Sequence, residues 1–136
     1  MAHTRARGQA AEDRAVAFLE RAGVRIVDRN VIAGGVELDI VGLDISSDHV
    51  APGDDSGTYI FVEVRSRSHQ ERGHPAETID GRKRRRVVKG ATAWLVSRGL
   101  WERVHVRFDV VTVIGHEAPG SDQDGGIDWI VSAFEA

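Results

Sequence analysis

In the stretch IFVEVRSR (60–67), Ile60, Val62 and Val64 alternate with Phe61, Glu63, Arg65 and Arg67. A strand with that pattern has one apolar face and one that carries a carboxylate and two guanidiniums. Upstream, VELDIVGL (36–43) alternates too, with Val36, Leu38 and Ile40 on one face and Glu37, Asp39 and Val41 on the other. Paired as a hairpin, the two strands bring Asp39 and Glu63 to the same side. Carboxylates crowded into a partly buried site repel each other, and a cation between them makes the arrangement tolerable. Mg2+ takes oxygen ligands, often only one or two carboxylates together with water and substrate phosphate. Glu12 shares a helical stripe with Ala15, Val16 and Leu19, so it points partly inward and offers a third acid. An all-oxygen site of this kind suits phosphodiester hydrolysis, in which the metal orients a water and offsets charge on the phosphate. The same residues also admit a plainer arrangement. Glu63 and Arg65 can form a local ion pair on a solvent-facing strand, with Asp39 bonded to a loop.

The elements that must position these residues are legible from periodicity. Gly8 to Ala22 reads as a helix with Ala11, Ala15, Phe18, Leu19 and Ala22 at helical spacing and Gly23 at its C-terminal end. Val24–Asn30 reads as a first strand, Ala33–Gly35 as a turn, and Val36–Leu43 and Thr58–Arg67 as the next two strands. Between them, 44–57 is rich in Asp, Ser, Gly and Pro and reads as a long acidic loop. A second helix is predicted over Gly81–Arg98, with Asp80 as its N-cap, an apolar stripe of Val87, Val88, Ala91, Trp94 and Leu95, and Gly99 at its end. Glu102–Ile114 reads as a long strand and Ile127–Phe134 as a short last one. A three-strand meander followed by a helical crossover makes an α/β domain with a mixed sheet and helices packed on it.

The chain of 136 residues suits a single domain over 1–136, and it has no cysteine, which excludes disulfides and thiolate metal sites. Neither a signal-type apolar N-terminus nor a membrane-length apolar run is present, so the expected location is the cytoplasm, away from membranes. Net charge is −3, but it is unevenly spread: residues 65–107 carry 12 basic and 4 acidic side chains, whereas residues 117–136 carry 5 acids and no base. A basic segment inside an acidic chain hints at a polyanion partner. In GRKRRRVVKG (81–90), Arg82, Arg85, Arg86 and Lys89 project away from the apolar stripe and Arg84 lies nearer to it. Such a face can track phosphates with salt-sensitive affinity, or it can simply be solvated.

Five segments, GQAAEDRAVAFLERAG, GGVELDIVG, FVEVRSR, GHPAETIDGRKRRRV and RFDVVTV, occur in this order over about residues 8–114. Together they resemble the YraN-like family of uncharacterised bacterial proteins, which is similar to Holliday-junction resolvases and to the restriction-endonuclease-like PD-(D/E)xK superfamily. The resemblance implies an αβββαβ core, a Mg2+ (or Mn2+) cofactor and a nucleic-acid partner, in the first place DNA. It implies that Asp39 is the motif aspartate, that Glu63 is the glutamate of Glu-x-Lys, and that Glu12 is the helical glutamate, with the metal on Asp39 and Glu63. Lys83 matches the family's helix lysine. Two positions depart from the pattern. Val36 stands where a glycine is usual, and Arg65 stands at the lysine position. Arginine essentially never loses its proton, so Arg65 does not act as a general base, although it can clamp a phosphate oxygen or stabilise developing charge.

The expected site is therefore Glu12, Asp39, Glu63 and Arg65, with Arg67, Arg82, Lys83, Arg85, Arg86 and Lys89 on nucleic acid. Glu37, Arg107 and Asp109 stand around it, although an internal salt bridge is the simpler role for Arg107 and Asp109. Trp94 is expected in the core and Trp101 in the core or at its rim. The six histidines, His69 and His74 among them, make no metal-binding spacing. Three functions follow in order: a Mg2+-dependent endonuclease acting on DNA, including branched DNA; a DNA-binding module of the same fold that does not cut; and a protein-interaction adaptor that docks through its acidic segments. Cutting two strands calls for two sites, which a homodimer would supply.

Overall fold

The computed structural model describes residues 2–45, 57–67, 79–114 and 126–136. The expected acidic loop falls, apart from its ends, outside the described residues, as do His69, His74 and residues 117–125 of the acidic C-terminal segment. Seven elements follow one another: α1 (Ala2–Arg21), β1 (Val24–Ala33), β2 (Val36–Asp44), β3 (Thr58–Arg67), α2 (Gly81–Ser97), β4 (His105–Ile114) and β5 (Ile127–Phe134). The strands form one sheet in the order β1-β2-β3-β4-β5. Neighbours are antiparallel except β3 and β4, which run parallel through the α2 crossover. This is an α/β mixed sheet with two helices, consistent with a restriction-endonuclease-like αβββαβ core to which β5 is added.

The helices cover opposite faces. Along β3, Phe61 packs with Val87, Ala91, Trp94 and Leu95 of α2, while Ile60 and Val62 pack with Ala11, Ala15 and Leu19 of α1. The α2 side is knit by aromatic rings: Phe61 meets Trp94 edge-on at 5.8 Å, and Phe108 stacks on Phe134 at 5.1 Å. On the α1 side, Phe18 meets Trp129 edge-on at 6.3 Å. The caps follow their residues. Asp80 Oδ1 accepts from Lys83 N at 2.9 Å and starts α2, and Gly99 takes φ +70° just past its end.

Several local expectations are corrected, and β1 runs on to Ala33, past the expected end at Asn30. Helix α1 begins at Ala2, and Ala22 is exposed beyond its end. The strand expected from Glu102 starts at His105, because Glu102 takes a left-handed turn (φ 64°). Trp101 is exposed (47%), unlike Trp94. The most consequential correction concerns β2, where strict alternation fails. Val36, Leu38 and Val41 all pack on the α2 side, and Ile40 packs on the α1 side. The change of phase lies at Asp39. Across from it, between the pairs Arg29–Ile40 and Val31–Leu38, Asn30 of β1 has φ 50°. Asparagine tolerates that left-handed conformation better than most residues.

Candidate functional site

The change of phase coincides with a fork in the sheet. Strands β2 and β3 pair from Ile40–Val62 to Asp44–Thr58. Beyond Ile40, residues 36–38 of β2 pair with β1, and residues 63–67 of β3 pair with β4. Asp39 stands at the mouth of this fork, and its Oδ2 accepts from the backbone N–H of Val64 at 2.9 Å. Its side chain thus occupies a donor on β3 that the ladder no longer engages. Glu63 is buried at 5% exposure, next to that N–H in the chain.

The two carboxylates act on each other. Burial pushes the Asp39 carboxyl up, the neighbouring Glu63 pushes it further, and together with Glu12 they outweigh the Val64 N–H and Lys83, leaving it at about 7. That Asp39 senses Glu12 on α1 and Lys83 on α2 at once follows from its place in the fork, since elsewhere the sheet separates the two helices. Lys83 Nζ lies 2.9 Å from Glu63 Oε1. Its backbone is held by the Asp80 cap, and it is in helical phase with Val87, Ala91 and Trp94, so its stem runs along the face that α2 turns to the sheet.

Glu12 is partly buried, and its Oε1 finds no hydrogen-bond partner among the described residues; Arg29 Nη2 is 3.9 Å away and is engaged more closely with Asp13 at 2.8 Å. Burial raises the Glu12 carboxyl above its usual range, Arg29 opposes this, Glu37 raises it again, and an Asn30 hydrogen bond lowers it. Glu37 itself is exposed. Among the described residues, no three carboxylate or imidazole side chains gather closely enough to hold a metal ion by themselves. Glu12 therefore belongs to the electrostatic surroundings of Asp39 and does not complete a three-acid cage. The donor set left to a divalent cation is the Asp39–Glu63 pair. It is all oxygen, which fits a Mg2+ that keeps water and substrate oxygens in its remaining positions.

Arg65 and Arg67 follow Glu63 on β3 at two-residue steps, and both are half-buried. Arg82, Arg85, Arg86 and Lys89 are exposed on the outer side of α2, as their spacing predicts. Arg84 is half-buried, with its guanidinium 5.8 Å from the Phe134 ring and its Nε donating to Ile79 O at 3.0 Å. Lys83 is separated from this outer row by its contact with Glu63.

The placement of Arg107 and Asp109 around the site is corrected. In the parallel register Val110 lies beside Glu63, so Arg107 and Asp109 alternate to the α1 face. There Asp109, fully buried, accepts from Arg107 Nε and Nη2 (2.9 and 2.7 Å), Trp129 Nε1 (2.9 Å) and Ser132 N (3.0 Å). Arg107 Nη2 also reaches Asp44 Oδ2 at 3.1 Å. Burial works against the guanidinium's charge, but the two carboxylates outweigh it and hold Arg107 above its ordinary value. This is the internal ion pair that the strand pattern allowed, and its satisfied hydrogen bonds are what make burial of the charges tolerable.

Sequence reasoning missed Asn30 and Arg29 beside Glu12, and it missed the contact between Lys83 and Glu63. The signals existed. Asn30 is an asparagine inside a strand, and Lys83 lies four and eight residues before Val87 and Ala91 of the apolar stripe. Val36 packs under Gly90 of α2, where a Cβ would come within 3.0 Å of Val36 Cβ.

Comparison with known proteins agrees with the resemblance of the five segments. Residues 11–113 match the uncharacterised protein family UPF0102. A UPF0102 protein of Stutzerimonas stutzeri (strain A1501) is 37% identical over 136 residues, covering 100% of both chains. One from Pseudomonas putida (strain W619) is 38% identical over 128 residues, 94% of this chain and 92% of the relative. One from Halorhodospira halophila (strain DSM 244 / SL1) is 37% identical over 130 residues, 96% and 88% of the two chains. With the family's span covering most of the sheet and both helices, this chain belongs to the UPF0102 family.

Proposed function

We propose that this protein is a nucleic-acid-processing protein with a Mg2+-dependent endonuclease-like site at the fork between β2 and β3, acting on DNA, branched DNA included, by phosphodiester hydrolysis. One observation carries the reading: two carboxylates, Asp39 and Glu63, converge where the sheet opens, and burial together with Glu63 holds the Asp39 carboxyl up. Surface acids with no function are normally spread apart in water; a convergent, half-desolvated pair is the arrangement that a divalent ion makes favourable.

A bound Mg2+ would supply charge for the phosphate and orientation for the attacking water. The chain's own residues do the rest. Asp39 and Glu63 provide the oxygen donors, and the Val64 N–H fixes the Asp39 carboxylate. Arg65, permanently protonated, serves as a clamp on a phosphate oxygen, since the proton of the water must go elsewhere. The exposed row Arg82, Arg85, Arg86 and Lys89 tracks the backbone and contributes affinity without sequence preference.

The test is a cleavage screen on linear, nicked and four-way DNA with Mg2+ and with Mn2+, run beside Asp39→Ala. Cleavage that disappears in the variant supports the site. Equal cleavage after both Asp39 and Glu63 are changed to Ala overturns it. A second reading is favoured by Arg65 at the lysine position: a DNA-binding module of the same fold that does not cut. It predicts salt-dependent retention of DNA, weakened by charge removal at Arg85 and Arg86, with no product under either metal. The third reading, a protein-interaction adaptor, predicts neither cleavage nor retention. Cytoplasmic location and a homodimer that offers two sites to two strands are parts of the same proposal. Among the described residues, no helix is long and apolar enough to cross a membrane.

A further inference from the structure

Strand β3 offers the fork only guanidiniums after Glu63, at Arg65 and Arg67. The ammonium that reaches the acid pair comes from the other side of the crossover. Lys83 Nζ is 2.9 Å from Glu63 Oε1, with the lysine side chain 41% exposed and the glutamate 7%. Its backbone is fixed, because Lys83 N donates to the Asp80 cap at 2.9 Å. Its head is not fixed to the same degree. A lysine is a compact charge on a flexible four-carbon stem, and this one borders solvent at the outer end.

The contact has a consequence for any divalent cation. An ion that takes Glu63 as ligand competes with the ammonium for the same carboxylate, and two cations cannot share it without repelling. A lysine driven off Glu63 stays tethered at the first turn of α2, beside Arg82, Arg85 and Arg86. In the proposed complex that is where the strand's phosphates run.

Resting on the endonuclease-like reading above, we propose that Lys83 is a displaceable counter-ion of the Asp39–Glu63 pair. It neutralises Glu63 in the metal-free protein, yields that carboxylate to a divalent cation, and then turns its ammonium to a non-bridging phosphate oxygen of the bound strand. Lys83 thereby places an ammonium at the site by way of α2, where β3 has Arg65.

The full-length chain, freed of metal, is titrated with Mn2+ by calorimetry as wild type, Lys83→Met and Lys83→Arg. Removing a competing cation from a carboxylate ligand tightens Mn2+ binding in Lys83→Met by roughly three- to thirty-fold. Lys83→Arg, which keeps the charge, binds no more tightly than wild type. Methionine preserves the apolar stem of a half-exposed residue, and Lys83→Gln is titrated beside it to separate charge from packing. A second measurement reads the displaced state: affinity for a DNA duplex in Ca2+ against affinity in chelator. Wild type gains from Ca2+, and Lys83→Met loses most of that gain. Mn2+ binding by wild type with equal or weaker binding by Lys83→Met overturns the role of Lys83 and leaves the acid pair standing. Absence of Mn2+ binding in every variant overturns the metal site itself, and this proposal with it. An undiminished Ca2+ gain in Lys83→Met overturns the phosphate half.

Discussion

Asp39→Asn should make the protein more stable, and only at the higher end of the pH range. Burial and Glu63 hold the Asp39 carboxyl at about 7, against 3.8 for an ordinary aspartate. Between those values the folded chain keeps a proton that the unfolded chain has released. Folded stability therefore falls as pH rises through the window, by about 1.4 kcal/mol per pH unit, and levels off above the folded value. Summed over the window this is at most about 4 kcal/mol, and relaxation around a half-buried group brings the expected gain nearer 2–3 kcal/mol. Asparagine keeps an acceptor for the Val64 N–H and presents its NH2 to the acidic surroundings, so the one hydrogen bond of Asp39 on β3 is preserved. Urea unfolding in chelator, at about pH 4.5 and about pH 8, measures the difference. The variant should match wild type at the lower pH and exceed it at the higher, while losing Mn2+ binding. A gain of equal size at both pH values, or a loss at the higher one, would refute the argument that charge crowding in the fork is what the site costs. Stability recovered by discarding a functional charge is the usual trade at such positions.

Three further outcomes bear on the frame and the outer face. Asp109→Ala removes the acceptor that Arg107, Trp129 Nε1 and Ser132 N share and leaves the Arg107 guanidinium with Asp44 as its carboxylate partner, which should cost about 3 kcal/mol by urea midpoint, with Mn2+ affinity unchanged. Gly42→Ala would set a Cβ 2.7 Å from Val24 Cγ1 and 3.3 Å from Ile60 Cγ1, and the overpacking should cost about 1–3 kcal/mol, read as a lowered Tm. Changing Arg85 and Arg86 together to Gln should weaken binding to DNA of any sequence and make its salt dependence shallower by about 2 in slope, measured by fluorescence anisotropy across a KCl series.

The Asp39 and Asp109 outcomes separate two kinds of buried charge in one small sheet. Asp109 accepts hydrogen bonds from Arg107, Trp129 and Ser132, and the pair stabilises the fold because each charge has its partner. Glu12 Oε1 has no hydrogen-bond partner among the described residues, and Asp39 carries repulsion. A protein that tolerates the second kind beside the first holds the unfavourable charge in one place, around the fork, and that localisation is the strongest physical argument that the fork has a use.

Much of this molecule is a consequence of local chemistry that any reader of the sequence can follow. Periodicity placed β3 at Thr58–Arg67 and β5 at Ile127–Phe134, the Asp80 cap placed the start of α2, and helical phase turned Ala11, Ala15 and Leu19 inward. Each of these depends on residues within a turn or two of one another. The site was legible as a set of residue types, and its assembly was not. Whether Asp39 and Glu63 meet depends on where the β2–β3 ladder ends, just past the Ile40–Val62 pair. Ile40 packs on the α1 face, against the two-residue pattern. Lys83 reaches Glu63 from α2, and Arg107 and Asp109 lie on the far face because Val110 pairs beside Glu63 in the parallel register of β3 and β4. Register and helix placement are set by the closure of the whole core, which sums contacts among residues far apart in the chain, and no local pattern encodes that sum.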